Sequence, residues 1–295
     1  MKLKTSKGQM VFDIFNSIFI VCLAVVTFYP MWHVLVASFS SGDRLLMHNG
    51  LLLYPLGFNF ESFAAVFKNP MITRGFLNSI FIVVFGVTLN MFFTLLLAYV
   101  LARKNVMWQK AIMILVVVSM YFSGGLIPTY LIVSRTLHLK NTYWALLLPT
   151  LINTYNLIIL RTSFLSIPES LLESAYIDGA GHFTMLFKIV VPLSLPAMAV
   201  MVLYYAVGHW NSWFQANIYI KDRIKYPLQL VLREILINGD TASMTQGGGD
   251  SGDQALLSES VKYACVVVSA MPILCVYPFL QKYFVKGVMV GAVKG

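Results

Sequence analysis

Glu169 and Glu173 stand four residues apart, and the turn-forming run Asp178-Gly179-Ala180-Gly181 follows them. On a helix that spacing puts both carboxylates on one face. Two carboxylates can move protons on a substrate, or they can pair with cations on a partner. Acid–base or nucleophilic chemistry would need further groups nearby: a second aspartate, a Ser–His pair or a metal set. Asp178 is the only aspartate between Asp43 and Asp222. His33, His48, His138, His182 and His209 show no H-E-x-x-H spacing, and no G-x-x-x-x-G-K-[ST] phosphate loop occurs. An intramembrane enzyme is therefore left without a site, and the expectation is that the chain is not an enzyme and holds no metal.

The carboxylates need a helix to carry them. "SIPE" (166–169) has the pattern of a capping box, with Ser166 to cap, Pro168 in the first turn and Glu169 three residues on. A helix should run through Leu171, Leu172, Glu173, Ala175 and Tyr176, and Gly179 and Gly181 should end it. A second short helix should carry Phe183, Leu186, Phe187, Ile189 and Val190, with Pro192 and Pro196 leading into the next apolar run. A plain connection between two spans needs only a few residues. The helix-turn-helix of 162–194 reads instead as a docking surface.

Around this polar segment the chain is apolar. It is 58% hydrophobic and 11% charged over 295 residues, with a mean hydropathy of +0.76. Soluble domains carry roughly 25% charged residues, so the reading is an all-α integral membrane protein. A net charge of +9 raises nucleic-acid binding as a rival, but the basic residues sit in short clusters at the ends of apolar runs. Cys22, Cys265 and Cys275 lie inside apolar runs without metal-ligand or disulfide spacing.

Six segments reach the roughly 20 residues that a span requires: about 12–39, 76–102, 111–133, 142–161, 195–215 and 261–284. The first is too long for a signal peptide's apolar core. An even number of spans places both ends on one side. The three lysines of the N-terminal tail and the short loop "ARKNVMWQK" (102–110) favour the cytoplasm. The expected division is 1–75 for the tail, first span and outer loop, 76–284 for a five-helix core, and 285–295 for a cytoplasmic tail. In the outer loop 216–260, Gly247, Gly248, Gly249 and Asp250 form part of a stretch with nothing apolar to pack, either a linker or a mobile binding loop.

Polar residues inside spans mark a candidate path for a polar cargo. Asn153, Tyr155 and Asn156 cluster in the fourth span, and Tyr204, Tyr205, His209, Trp210 and Asn211 in the fifth; Tyr121 and Tyr130 lie in the third. Amides and aromatic rings suit sugars, whose hydroxyls need hydrogen bonds and whose ring faces need apolar contact. The same residue types also bond helix to helix or sit at the membrane interface.

The polar segment closely resembles the EAA loop of ABC-importer permeases. Glu173-Ser174-Ala175, Asp178-Gly179-Ala180 and Ile189-Val190-Val191-Pro192 follow the family pattern, with Ser174 and Val191 as its two small departures. The tail "VKGVMVGAVKG" (285–295) and "HWNSWFQANIYI" (209–220) resemble the second membrane subunit of the maltose importer, and "NTYNLIILRTSF" (153–164) the subgroup that imports complex oligosaccharides.

The resemblance implies a type I, MetI-like transmembrane domain in the cell membrane with both termini cytoplasmic. It implies a second permease as heterodimer partner, two ATPase subunits that bind the ATP and magnesium, and an external sugar-binding protein. Glu173, Ala175, Asp178, Gly179, Ala180, Ile189 and Pro192 would couple to the ATPase, Lys294 would reach it from the tail, and the glycine loop would enter the binding protein. The alternative is an ion-coupled secondary transporter, which would need an acidic residue within a span; none is found.

Overall fold

The computed structural model describes residues 7–238 and 259–278. All regular structure among them is helical. In chain order the helices are α1 (Lys7–Ser38), α2 (Gly42–Met47), α3 (Glu61–Lys68), α4 (Pro70–Ala102), α5 (Gln109–Tyr121), α6 (Leu126–Leu131), α7 (Trp144–Leu147), α8 (Thr154–Leu165), α9 (Glu169–Ile177), α10 (His182–Met185), α11 (Val191–Leu193), α12 (Leu195–Trp210), α13 (Trp213–Tyr219) and α14 (Leu228–Asn238). A last helix, α15, covers Glu259–Pro278.

Three of these cross a membrane by length and composition unbroken: α1, α4 and α15. Three more spans arise only if bent pairs are joined, which completes the expected six. The pairs are α5 with α6 (110°), α7 with α8 (50°), and α10–α11 with α12 (87°). Each bend has a local cause. Phe122-Ser123-Gly124-Gly125 breaks the third span, where Gly125 takes φ +81°. Pro149 tightens the end of α7, and Asn153 caps α8. Pro192 and Pro196 flank the bend at Ser194. The third span was expected to run straight through 111–133, and two adjacent glycines interrupt it.

The described residues form two compact units, 71–233 with 271–278, and 7–70 with 234–238 and 259–270. In the smaller unit, Val36, Ala37 and Leu52 form a core, and Ser62 donates to Ser260 at 2.8 Å.

The larger unit is built on α4. Met91, Leu95, Ala98 and Leu101 pack against Leu157, Leu160 and Phe164 of α8 and Met201 and Tyr205 of α12. A second cluster joins Ile82 to Ala145, Leu146 and Leu147, and to Ala216 and Tyr219 of α13. Lipid tails are as apolar as these side chains, so burial alone does little to drive the helices together. Close packing and the polar bonds between helices set the geometry.

Candidate functional site

The polar bonds converge on one cavity. It has a volume of about 540 Å³ and is lined by Thr150, Asn153, Tyr155, Asn156, Tyr204, Tyr205, His209, Ser212 and Gln215, with a few apolar neighbours. The bend between α7 and α8 forms one wall and α12 the other.

Asn90, buried in the middle of α4, organises the floor. Its Nδ2 donates to the carbonyls of Thr150 (2.7 Å) and Leu151 (2.8 Å), which the bend deprives of helical partners. Its Oδ1 is therefore the acceptor for His209 Nε2 at 2.5 Å, which fixes the proton on Nε2. One turn along α4, Thr94 shares a 2.7 Å bond with the Tyr205 hydroxyl. That hydroxyl also accepts the Asn153 backbone N–H at 3.1 Å. Asn153 Oδ1 accepts the N–H of Asn156, so the cap of α8 is built into the cavity wall. At the mouth, the Tyr155 and Tyr204 rings lie 6.4 Å apart and 29° from parallel.

The carboxylate segment forms a second feature. The helix α9 forms where expected, but Ser166 does not cap it. Ser166 ends α8 instead, and its hydroxyl donates back to the Ser163 carbonyl. Pro168 stands at the cap position. The end of α9 is a Schellman turn: Ala180 N–H reaches Ala175 O (2.9 Å) and Gly179 N–H reaches Tyr176 O (3.0 Å). Gly179 takes φ +82°. An added Cβ there meets nothing within 4 Å, so the turn requires glycine for its dihedral and not for room.

The two carboxylates part company. Glu169 pairs with Lys104 of the loop after α4, an exposed bridge of 2.5 Å. That hydrogen bond and the charge of Glu169 push the Lys104 pKa upward. Glu173 makes no ion pair with the described residues. Around it Tyr176, Ile177 and Asp178 are exposed, and Leu171, Phe183 and Phe187 expose apolar surface. Behind this face Arg103 donates to the Tyr99 hydroxyl (2.5 Å) and to Met185 Sδ (3.4 Å), tying the end of α4 to α10.

Residues 62–290 match the family described as binding-protein-dependent transport system inner membrane component. This chain belongs to that family. The permease is 42% identical over 291 residues to the protein LplC of Bacillus subtilis, spanning 98% of this chain and 97% of that one. It is 41% identical to the polygalacturonan/rhamnogalacturonan transport system permease protein YtcP of the same organism, over 96% and 98% of the two chains. A chain in the crystal structure of a bacterial ABC transporter involved in the import of the acidic polysaccharide alginate superposes with a TM-score of 0.87 at 29% identity, covering 96% of the permease and all of that chain. The family comprises transporter membrane subunits and not enzymes.

Of the residues singled out for a path, the permease brings Asn153, Tyr155, Asn156, Tyr204, Tyr205 and His209 to the cavity. Trp210 and Asn211 are not there. Trp210 is buried, with its ring edge-on to Phe76 at 5.8 Å. Asn211 caps α12 and is exposed. In the third span, Tyr121 is exposed and Tyr130 stacks on Tyr219. Asn90 and Thr94 were missed. Asn90, the one of the two asparagines in the apolar run 76–102 that lies well away from its ends, was the available signal. Gly247, Gly248, Gly249, Asp250 and Lys294 lie outside the described residues.

Proposed function

We propose that this permease is one membrane subunit of an ATP-driven importer that passes an oligosaccharide across the cytoplasmic membrane. The carrying observation is the cavity: hydroxyls, carboxamides and aromatic rings, with no charged side chain among its lining residues, inside a chain of the binding-protein-dependent family. Such a lining suits a neutral hydroxyl-rich cargo. The names of LplC's neighbour in similarity, the polygalacturonan/rhamnogalacturonan permease, and of the alginate importer support the sugar class.

In this reading the partners are a second permease, two ATPase subunits that hold the ATP and magnesium, and an external sugar-binding protein. Both termini face the cytoplasm. The segment 162–194 docks on an ATPase subunit, with Glu173 offered for an ion pair. Ala175, Asp178, Gly179 and Ala180 shape the turn, while Ile189 and Pro192 lead the motion toward α12. The exposed Glu173, which makes no ion pair with the described residues and stands beside exposed apolar side chains, supports that role. Lys294 would reach the ATPase from the tail, and the loop at Gly247, Gly248, Gly249 and Asp250 would meet the binding protein.

The test is uptake of labelled oligosaccharide into proteoliposomes holding the assembled transporter. Uptake should require internal ATP and external binding protein. Uptake driven by a proton or sodium gradient without the ATPase subunits would overturn the reading.

A further inference from the structure

Among the polar side chains that line the cavity, Asn156 is the most buried that makes no side-chain hydrogen bond to the described residues; the Gln215 carboxamide and the Tyr155 and Tyr204 hydroxyls make none either. Asn156 is 4% exposed. Its nitrogen and oxygen are not sealed in the fold but open onto the cavity, where a cargo or water must satisfy them. Several groups of the cavity wall and floor are already bonded: Asn90 to Thr150, Leu151 and His209, Thr94 to Tyr205, and Asn153 Oδ1 to the Asn156 backbone. The fold thus leaves the Asn156 carboxamide, the most buried of the polar lining side chains without a bond of its own, presented to the cavity.

We propose that Asn156 is a specificity-determining residue that reads the hydroxyls of an uncharged saccharide unit held in this cavity. The inference rests on the import function proposed above and adds the contact and its charge preference. A carboxamide offers a donor and an acceptor side by side, which matches two neighbouring hydroxyls, each able to donate and accept. The Tyr155 and Tyr204 rings at the mouth, half-exposed and nearly parallel, supply an apolar face for the C–H side of the sugar ring. A sugar carboxylate placed beside Asn156 would meet no cation among the lining residues and would lose hydration without return. In a chain that mixes neutral and acidic units, the neutral unit occupies this place.

The test uses the assembled transporter in proteoliposomes at pH 8. The probe is a pool of fragments from partial hydrolysis of pectin, labelled by reduction with tritiated borohydride. Imported label is separated on an anion exchanger into neutral and acidic fractions. Asn156→Leu should lower uptake of both fractions by about tenfold. Asn156→Asp keeps the shape and adds a negative charge, so it should lower the acidic fraction about tenfold further than the neutral one. A change in that ratio is something that a purely structural role would not produce. ATP turnover without sugar, measured on each variant, shows that the complex has assembled. Parental uptake by Asn156→Leu, or equal loss of both fractions in Asn156→Asp, overturns the proposal while the import function stands. A parental transporter that takes up neither fraction overturns both.

Discussion

The His209 imidazole occupies the space that a side chain on Gly86 would need: a Cβ there would lie 2.6 Å from Nε2 and 2.9 Å from two ring carbons. Gly86 is the gap in α4 that admits the ring to Asn90. Gly86→Ala should therefore force the ring out or part the helices, at a cost of about 1–3 kcal/mol. Thermal unfolding of the purified subunit in detergent reads this. Adding His209→Ala should remove most of the penalty, since the clash goes with the ring. Additive losses in the double variant would contradict the packing relation.

Asn90 and Thr94 differ in how many partners each satisfies. Asn90→Leu strands two backbone carbonyls and the His209 N–H, at about 1–3 kcal/mol for each group left buried and unpaired. Thr94→Val leaves Tyr205 with the Asn153 N–H and should cost only about 0.5–1.5 kcal/mol. The expected outcome is a clearly larger fall in melting temperature for Asn90→Leu. Equal falls would show that the floor is not organised by Asn90.

The two glycines of the 178–181 turn should respond unequally. Gly179 has φ +82°, whereas Gly181 is extended at φ −71° and ψ 163°. Gly179→Ala pays the left-handed penalty of about 1–2 kcal/mol, and Gly181→Ala does not. Amide exchange at Ala180, whose N–H closes the Schellman turn, should speed up in the first variant alone.

The carboxylates of α9 should also separate. Glu173→Lys should lose substrate-stimulated ATP hydrolysis and weaken co-purification of the ATPase subunit, because it reverses an exposed charge that makes no ion pair with the described residues. Glu169→Gln removes only an exposed bridge to Lys104, of the kind that contributes little. Normal assembly and ATP turnover in Glu173→Lys would remove the coupling role.

The spans, the helix α9 and the glycine turn were legible because each depends on local chemistry: apolar run length, carboxylate spacing and the dihedral freedom of Gly179. The capping box was misread for an equally physical reason. Ser166 belongs to two overlapping patterns, and its hydroxyl found the Ser163 carbonyl of the preceding helix first. The cavity was half legible. Asn153, Asn156 and Tyr205 could be picked from their polarity within spans, but Trp210 and Asn211 look the same in a linear chain and point elsewhere. Which polar groups would be consumed by one another depends on α4, α8 and α12 sharing one core. Nothing in the order of residues states that Asn90 sits opposite Thr150.

The bond from Asn90 to the carbonyls of Thr150 and Leu151 has a bearing on hydration. A helix broken within a bilayer must find partners for its freed carbonyls, and water often supplies them. Here a side chain from another helix does so, and the break holds without solvent. Its shape is thus the same whether the adjoining space is flooded or drained. In a membrane path that is alternately wetted from opposite sides, this stretch behaves as a fixed wall, and bending must be taken up at other joints, such as the glycine pair at 124–125.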